Sequence, residues 1–153
     1  MKLTLISVGK QNDSGISEAV TDYTKRISRY FPVEWKLIPP VCADRTADKE
    51  KEGEAILKNL DAGDFVVVLD DKGKEMTTEE LASFIEKRMN ASDKRIVFII
   101  GGAYGFSEEV YKRANFKWSL SKLTFPHQLV RLILTETIYR SISVLKGEPY
   151  HHA

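Results

Sequence analysis

Two unbroken apolar runs of five residues, Phe65 to Leu69 and Ile96 to Ile100, constrain this chain most. Five residues is strand length, and a run with no polar side to turn toward water must be an interior strand covered on both faces. Lys2 to Val8 and Val33 to Ile38 also read as strands, and a shorter one falls near Phe116 to Leu120. Helical patterns lie between them. Ser14 to Arg29 is amphipathic, Asp44 to Leu60 is charged with a sparse apolar stripe, and Thr77-Thr78-Glu79-Glu80 is a capping box opening a helix to about Met89. Ser107-Glu108-Glu109 opens another, its hydroxyl and acidic first turn suited to the positive helix end. Such alternation predicts an α/β fold around a largely parallel sheet, with its ligand site at the carboxyl ends of the strands. At 153 residues, without a repeat or a linker, the chain reads as a single domain over 1–153.

No apolar stretch is long enough to span a bilayer, because Arg131 interrupts Leu129 to Leu134 and the other runs are strand-sized, so no membrane partner is expected. Met1 to Ile6 is too short for a signal sequence and runs on into Gly9-Lys10 with no suitable cleavage region. Cys42 stands alone, which excludes an internal disulfide and fits a reducing, cytoplasmic setting. The net charge of +1 conceals an asymmetry. Residues 1–80 carry 12 Lys and Arg against 16 Asp and Glu, whereas residues 81–153 carry 11 against 6. A basic C-terminal half suits a polyanion-binding face, and equally suits solvated helices rich in lysine.

From Gln128 to Leu145 the chain contains neither Gly nor Pro, and its apolar residues cover more than one helix face. A domain of this size can hardly surround such a helix, so part of it is available to a second copy, or else it is an ordinary core helix. Before it, Gly101-Gly102-Ala103-Tyr104-Gly105 follows a buried strand and lets the backbone approach a ligand closely or turn tightly. The cluster matches neither the dinucleotide-binding fingerprint nor a Walker motif. Leu120-Ser121-Lys122-Leu123-Thr124-Phe125 can offer backbone groups to an adenine edge and apolar side chains to its faces.

Together with Pro126-His127-Gln128-Leu129-Val130-Arg131, Glu136 and Tyr139-Arg140, these segments resemble the cofactor region of the SPOUT methyltransferases. Within that superfamily the chain is similar over its whole length to the ribosomal RNA large subunit methyltransferase H family, which methylates N3 of a pseudouridine in 23S rRNA. The resemblance implies a C-terminal trefoil knot, S-adenosylmethionine as methyl donor, an obligate homodimer, and action on the assembled ribosome. It implies donor contacts at Leu69, Gly101, Leu120, Ser121, Lys122, Leu123, Thr124 and Phe125. The family usually closes with Tyr-His followed by Lys or Arg, where this chain has His152, so a permanent charge is missing from the tail.

Methyl transfer to an imide nitrogen asks for alignment, a dry pocket, and an answer to one departing proton. Arg140, His127 and the tail residues Tyr150 and His151 are the candidates. Arg140 suits orientation of the base and balance of its negative charge, Tyr150 stacking or hydrogen bonding, and His151 assistance in proton removal. Arg140 pairing with Glu136, and His127 as a turn residue after Pro126, are the plainer readings. His151-His152 lacks a Cys or carboxylate at suitable spacing, so no metal is expected. A noncatalytic ribosome-binding protein and a nucleotide- or flavin-binding α/β module are the alternatives.

Overall fold

A computed structural model describes residues 1–40, 45–102 and 104–152. Cys42, Asp44 and Ala103 therefore lie outside the described residues, and with them the reading drawn from the lone cysteine. In chain order the elements are β1 (Lys2–Val8), α1 (Ser14–Ser28), β2 (Val33–Ile38), α2 (Arg45–Lys58), β3 (Phe65–Glu75), α3 (Thr78–Asn90), β4 (Arg95–Ile100), α4 (Glu108–Arg113), β5 (Phe116–Ser119) and α5 (His127–Leu145). The five strands form one sheet in the order β2-β1-β4-β3-β5, and every pairing is parallel. The two apolar runs occupy interior positions, as their patterning requires.

Alternation along β4 divides the core. Ile96, Phe98 and Ile100 join Leu81 and Ile85 of α3 and Leu134, Ile138 and Ile142 of α5 on one face. Val97 and Ile99 meet Ile56 of α2 and Val110 of α4 on the other. Period-2 geometry with helices on both sides explains why neither run could carry a polar residue. The helix starts follow their capping chemistry. Thr77 accepts from the Glu80 amide at 3.1 Å while Glu80 accepts from the Thr77 amide at 3.0 Å. Ser107 accepts from the Val110 amide at 3.4 Å.

The strand β3 is longer than its apolar run. Leu69 pairs with Trp118, the register then breaks, and Lys74 pairs with Trp118 again, so residues 70–73 bulge outward from the carboxyl end of the sheet. A Cβ at Gly73 would stand 2.7 Å from the Lys117 carbonyl group and 2.8 Å from the Trp118 nitrogen. Backbone cannot yield as a side chain can. Gly73→Ala is expected to destabilise the protein by about 1–3 kcal/mol, read as a lowered urea midpoint, and an unchanged midpoint would show that the bulge shifts freely.

The opposite end of β4 is held by charge. Arg95 Nε donates to Asp64 Oδ1 at 2.9 Å, Nη2 donates to Asp64 Oδ2, and the Asn59 carbonyl accepts from Nη2 at 2.9 Å. The two side chains are 11% and 5% exposed. Burial opposes ionisation of Asp64, yet Arg95 and the Asp61 amide hold its carboxyl below the usual 3.8. A depressed carboxylate stabilises the fold above its unfolded value and loses that contribution as the pH falls through the folded value. Below about pH 4, wild-type stability should therefore fall more steeply than that of Asp64→Asn. At pH 7 the substitution should cost about 2 kcal/mol, since it leaves the largely buried guanidinium with the exposed Asp61 carboxylate, 3.7 Å away, in place of its close ionic partner. Urea titrations across pH 2–7 check both, and parallel curves for the two proteins would contradict the assignment.

Candidate active site

The carboxyl ends of β4, β3 and β5 converge on a cavity of about 680 Å³, within the range of small-molecule sites. Leu69 comes from β3, Gly101 from the end of β4, and Leu120, Ser121, Leu123, Thr124 and Phe125 from the loop after β5. Thus all but one of the residues anticipated for the donor line a single space. Lys122 is the exception: its side chain is 85% exposed and stands 3.8 Å from Glu75, outside the lining. The loop is pinned by its own serines. Ser119 Oγ donates to the Ser121 carbonyl at 3.0 Å, and the Leu123 amide donates to Ser121 Oγ at 3.0 Å.

Gly101 has a reason different from ligand approach alone. A Cβ there would stand 2.9 Å from the Phe106 ring, so glycine lets Phe106 close the core beneath the cavity. The bulge after Leu69 adds residues that sequence reasoning overlooked. Asp70 lines the cavity, accepting from Tyr111 Oη at 2.6 Å and from the Lys72 amide at 2.9 Å. Burial works against the Asp70 charge, but Tyr111 and Lys72 hold its carboxyl below the usual value. Burial, and then Asp70, push the Tyr111 hydroxyl up to about 12. The lining combines apolar walls and loop backbone with two aspartates, Asp70 and Asp71, against one lysine, Lys72, a combination suited to a nucleoside carrying positive charge. Its only signal in the sequence is that two acidic residues directly follow an apolar strand.

His127 opens α5 at the cavity wall, where burial and then Arg131 lower its pKa, favouring the neutral ring. Arg131 is 1% exposed. It donates to Ser7 Oγ at 2.8 Å, the Lys10 carbonyl at 2.7 Å and Asn12 Oδ1 at 2.7 Å, clamping the loop between β1 and α1. The apolar pattern around Arg131 did not disclose that role.

The remaining candidates assemble elsewhere. Arg140 donates to Glu136 Oε1 from Nε at 2.9 Å and from Nη2 at 2.5 Å, and its guanidinium carbon lies 4.8 Å from the Tyr150 ring centre. The Glu136 contact raises the Arg140 pKa further, so its charge is permanent. Tyr150 Oη donates to Glu136 Oε1 at 3.2 Å and lies 3.1 Å from Tyr23 Oη. Burial and these neighbours raise the Tyr150 pKa. His151 sits between Arg140 and Glu79. Thirteen residues separate Arg140 from His127 along α5, or roughly 20 Å at 1.5 Å per residue. Within one chain, Arg140, Tyr150 and His151 therefore do not meet the cavity, whereas His127 does.

Among the described residues no group of His, Cys, Asp and Glu could hold a metal ion, and no helix is long and apolar enough to cross a membrane. A family model described as a predicted SPOUT methyltransferase matches residues 1–151. A protein of Parabacteroides distasonis named ribosomal RNA large subunit methyltransferase H is 48% identical, over 99% of each chain. The chain belongs to the SPOUT methyltransferases of the ribosomal RNA large subunit methyltransferase H family. Proteins of the same name from Christiangramia forsetii and Bacteroides thetaiotaomicron are 46% and 47% identical to this SPOUT chain, again over 99% of each. In fold it is similar to a probable methylase family protein from Haemophilus influenzae, with a TM-score of 0.57 at 12% identity. That likeness covers 99% of this chain and 70% of the other.

Proposed function

We propose that this protein transfers the methyl group of S-adenosylmethionine to N3 of a pseudouridine in 23S rRNA, on the assembled ribosome in the cytoplasm. The observation that carries the reading is the single cavity shared by Leu69, Gly101 and the loop 120–125 in a chain matched end to end by ribosomal RNA methyltransferases. When bound, that donor supplies a methyl group on a positively charged sulfur, which the ring nitrogen displaces in line. Leu120, Leu123 and Phe125 suit the faces of an adenine, loop backbone suits its edge, and the ionised Asp70 suits the positive charge of the donor.

Arg140 stabilises the negative charge that develops on the imide as N3 loses its proton, through hydrogen bonds to the flanking carbonyl oxygens. Tyr150 offers its ring to the nucleotide. Because Arg140, which Tyr150 and His151 pack against, lies roughly 15 Å along α5 from Val130, the last α5 residue of the cavity lining, the reading requires a homodimer in which one copy supplies the cavity and the other supplies the tail. Supporting it, Leu129, Leu132, Ile133 and Val144 of α5 are only half-buried in one chain, an apolar face open to a second copy. The chain acts as one domain, and α5, returning across the sheet beside α1 and α3, forms the trefoil knot of the family.

Calorimetry tests the cavity. S-adenosylmethionine should bind while NAD and FMN do not, and Leu120→Arg should lower its affinity at least tenfold by placing an unpaired charge among apolar walls. Equal binding of FMN would favour a nucleotide-binding module instead.

A further inference from the structure

The ring of His151 lies between two groups of opposite capability. Its Nε2 is 2.9 Å from Glu79 Oε1, on the first turn of α3, and its Nδ1 is 3.3 Å from Arg140 Nη1 on α5. A carboxylate can only accept and a guanidinium can only donate. A neutral imidazole with its proton on Nε2 satisfies both at once. With the proton on Nδ1, the ring would set N–H against N–H at Arg140 and lone pair against carboxylate at Glu79. An imidazolium would keep the Glu79 contact and lose the one to Arg140. The His151 hydrogen bond itself holds the Glu79 carboxyl below its usual value, so the acceptor is ionised. Glu136, Tyr150 and Tyr23 complete the charged and titratable surroundings, and all three are already engaged with Arg140 or with one another.

We propose that Glu79 is a positioning residue: by accepting from His151 Nε2–H it fixes the tautomer whose Nδ1 receives a hydrogen bond from Arg140. His151 then orients the guanidinium and is not the group that removes the substrate proton, because its one lone pair is occupied. Arg140 has five N–H groups. Two go to Glu136 and one to His151, leaving one on each terminal nitrogen for the carbonyl oxygens of the base. The proton from N3 passes to solvent. This inference rests on the role given to Arg140 above, and extends the machinery to α3, where the sequence marked only a capping box.

Nitrogen-15 NMR of the histidine rings in the intact protein at pH 8 reads the tautomer directly. The expected result is an Nε2–H ring for His151 that becomes a tautomeric mixture in Glu79→Ala. An Nδ1–H ring, an imidazolium, or no change in Glu79→Ala would overturn the proposal. Kinetics supply the second arm. Glu79→Ala should lower kcat about tenfold with the affinity for S-adenosylmethionine unchanged. His151→Ala should lower it about thirtyfold, and His151→Asn, whose amide oxygen can stand in for Nδ1, should recover most of that loss. If His151→Asn is as impaired as His151→Ala, with kcat down 100-fold or more, the ring is the proton acceptor and the proposal fails. The NMR arm needs no RNA, so a protein that transferred no methyl would overturn the assigned reaction while leaving the tautomer result standing.

Discussion

Arg140→Ala is expected to reduce methyl transfer to 23S rRNA at least 100-fold, roughly the effect of removing one preorganised donor from a developing anion, while the dissociation constant for S-adenosylmethionine stays within about twofold. The separation follows from position, because the donor cavity reaches only as far as Val130 on α5. Stability should scarcely change. Arg140 and Glu136 are 31% and 25% exposed, and a solvated pair at this spacing contributes less than about 1 kcal/mol. Single-turnover rates, calorimetry and a thermal melt on the same preparation check all three. If donor affinity and the melting temperature fall together with the rate, Arg140 is a structural residue and the plainer reading of its pairing with Glu136 stands.

Mixing two impaired variants, at a donor concentration too low to fill the Leu120→Arg cavity, should restore activity. Leu120→Arg removes the cavity and leaves the tail intact, whereas Arg140→Ala does the reverse. If each active site takes its cavity from one copy and its tail from the other, a mixed dimer contains one complete site and one doubly defective site. Random pairing after joint refolding makes half of the dimers mixed, so about a quarter of wild-type activity should return. Activity no higher than the sum of the two variants alone would place cavity and tail in the same chain, against the geometry of α5.

Interior strands were legible because an apolar run with no polar residue has only one stable place, between two helical layers. Helix starts were legible for a similar reason: Thr77 with Glu80, and Ser107 with its acidic turn, are local chemistry that needs no distant partner. The loop 120–125 was found through resemblance, and the structure adds that Lys122 faces away. What escaped depends on long-range contacts. Asp70 to Gly73 looks like a polar turn until Trp118 is seen pairing on both sides of the bulge. Arg131 looks like an interruption in an apolar helix until Ser7, Lys10 and Asn12 surround it. Glu79, marked only as part of a capping box, meets His151 across 72 residues of sequence.

Transfer of labelled methyl decides the central claim. Ribosomes from a strain lacking the modification, incubated with the protein and methyl-labelled S-adenosylmethionine, should acquire label in 23S rRNA that nuclease digestion and mass spectrometry place on N3 of a pseudouridine. Ribosomes that bind the protein yet leave the reaction unlabelled, with donor affinity intact, would contradict the account and identify a noncatalytic ribosome-binding protein.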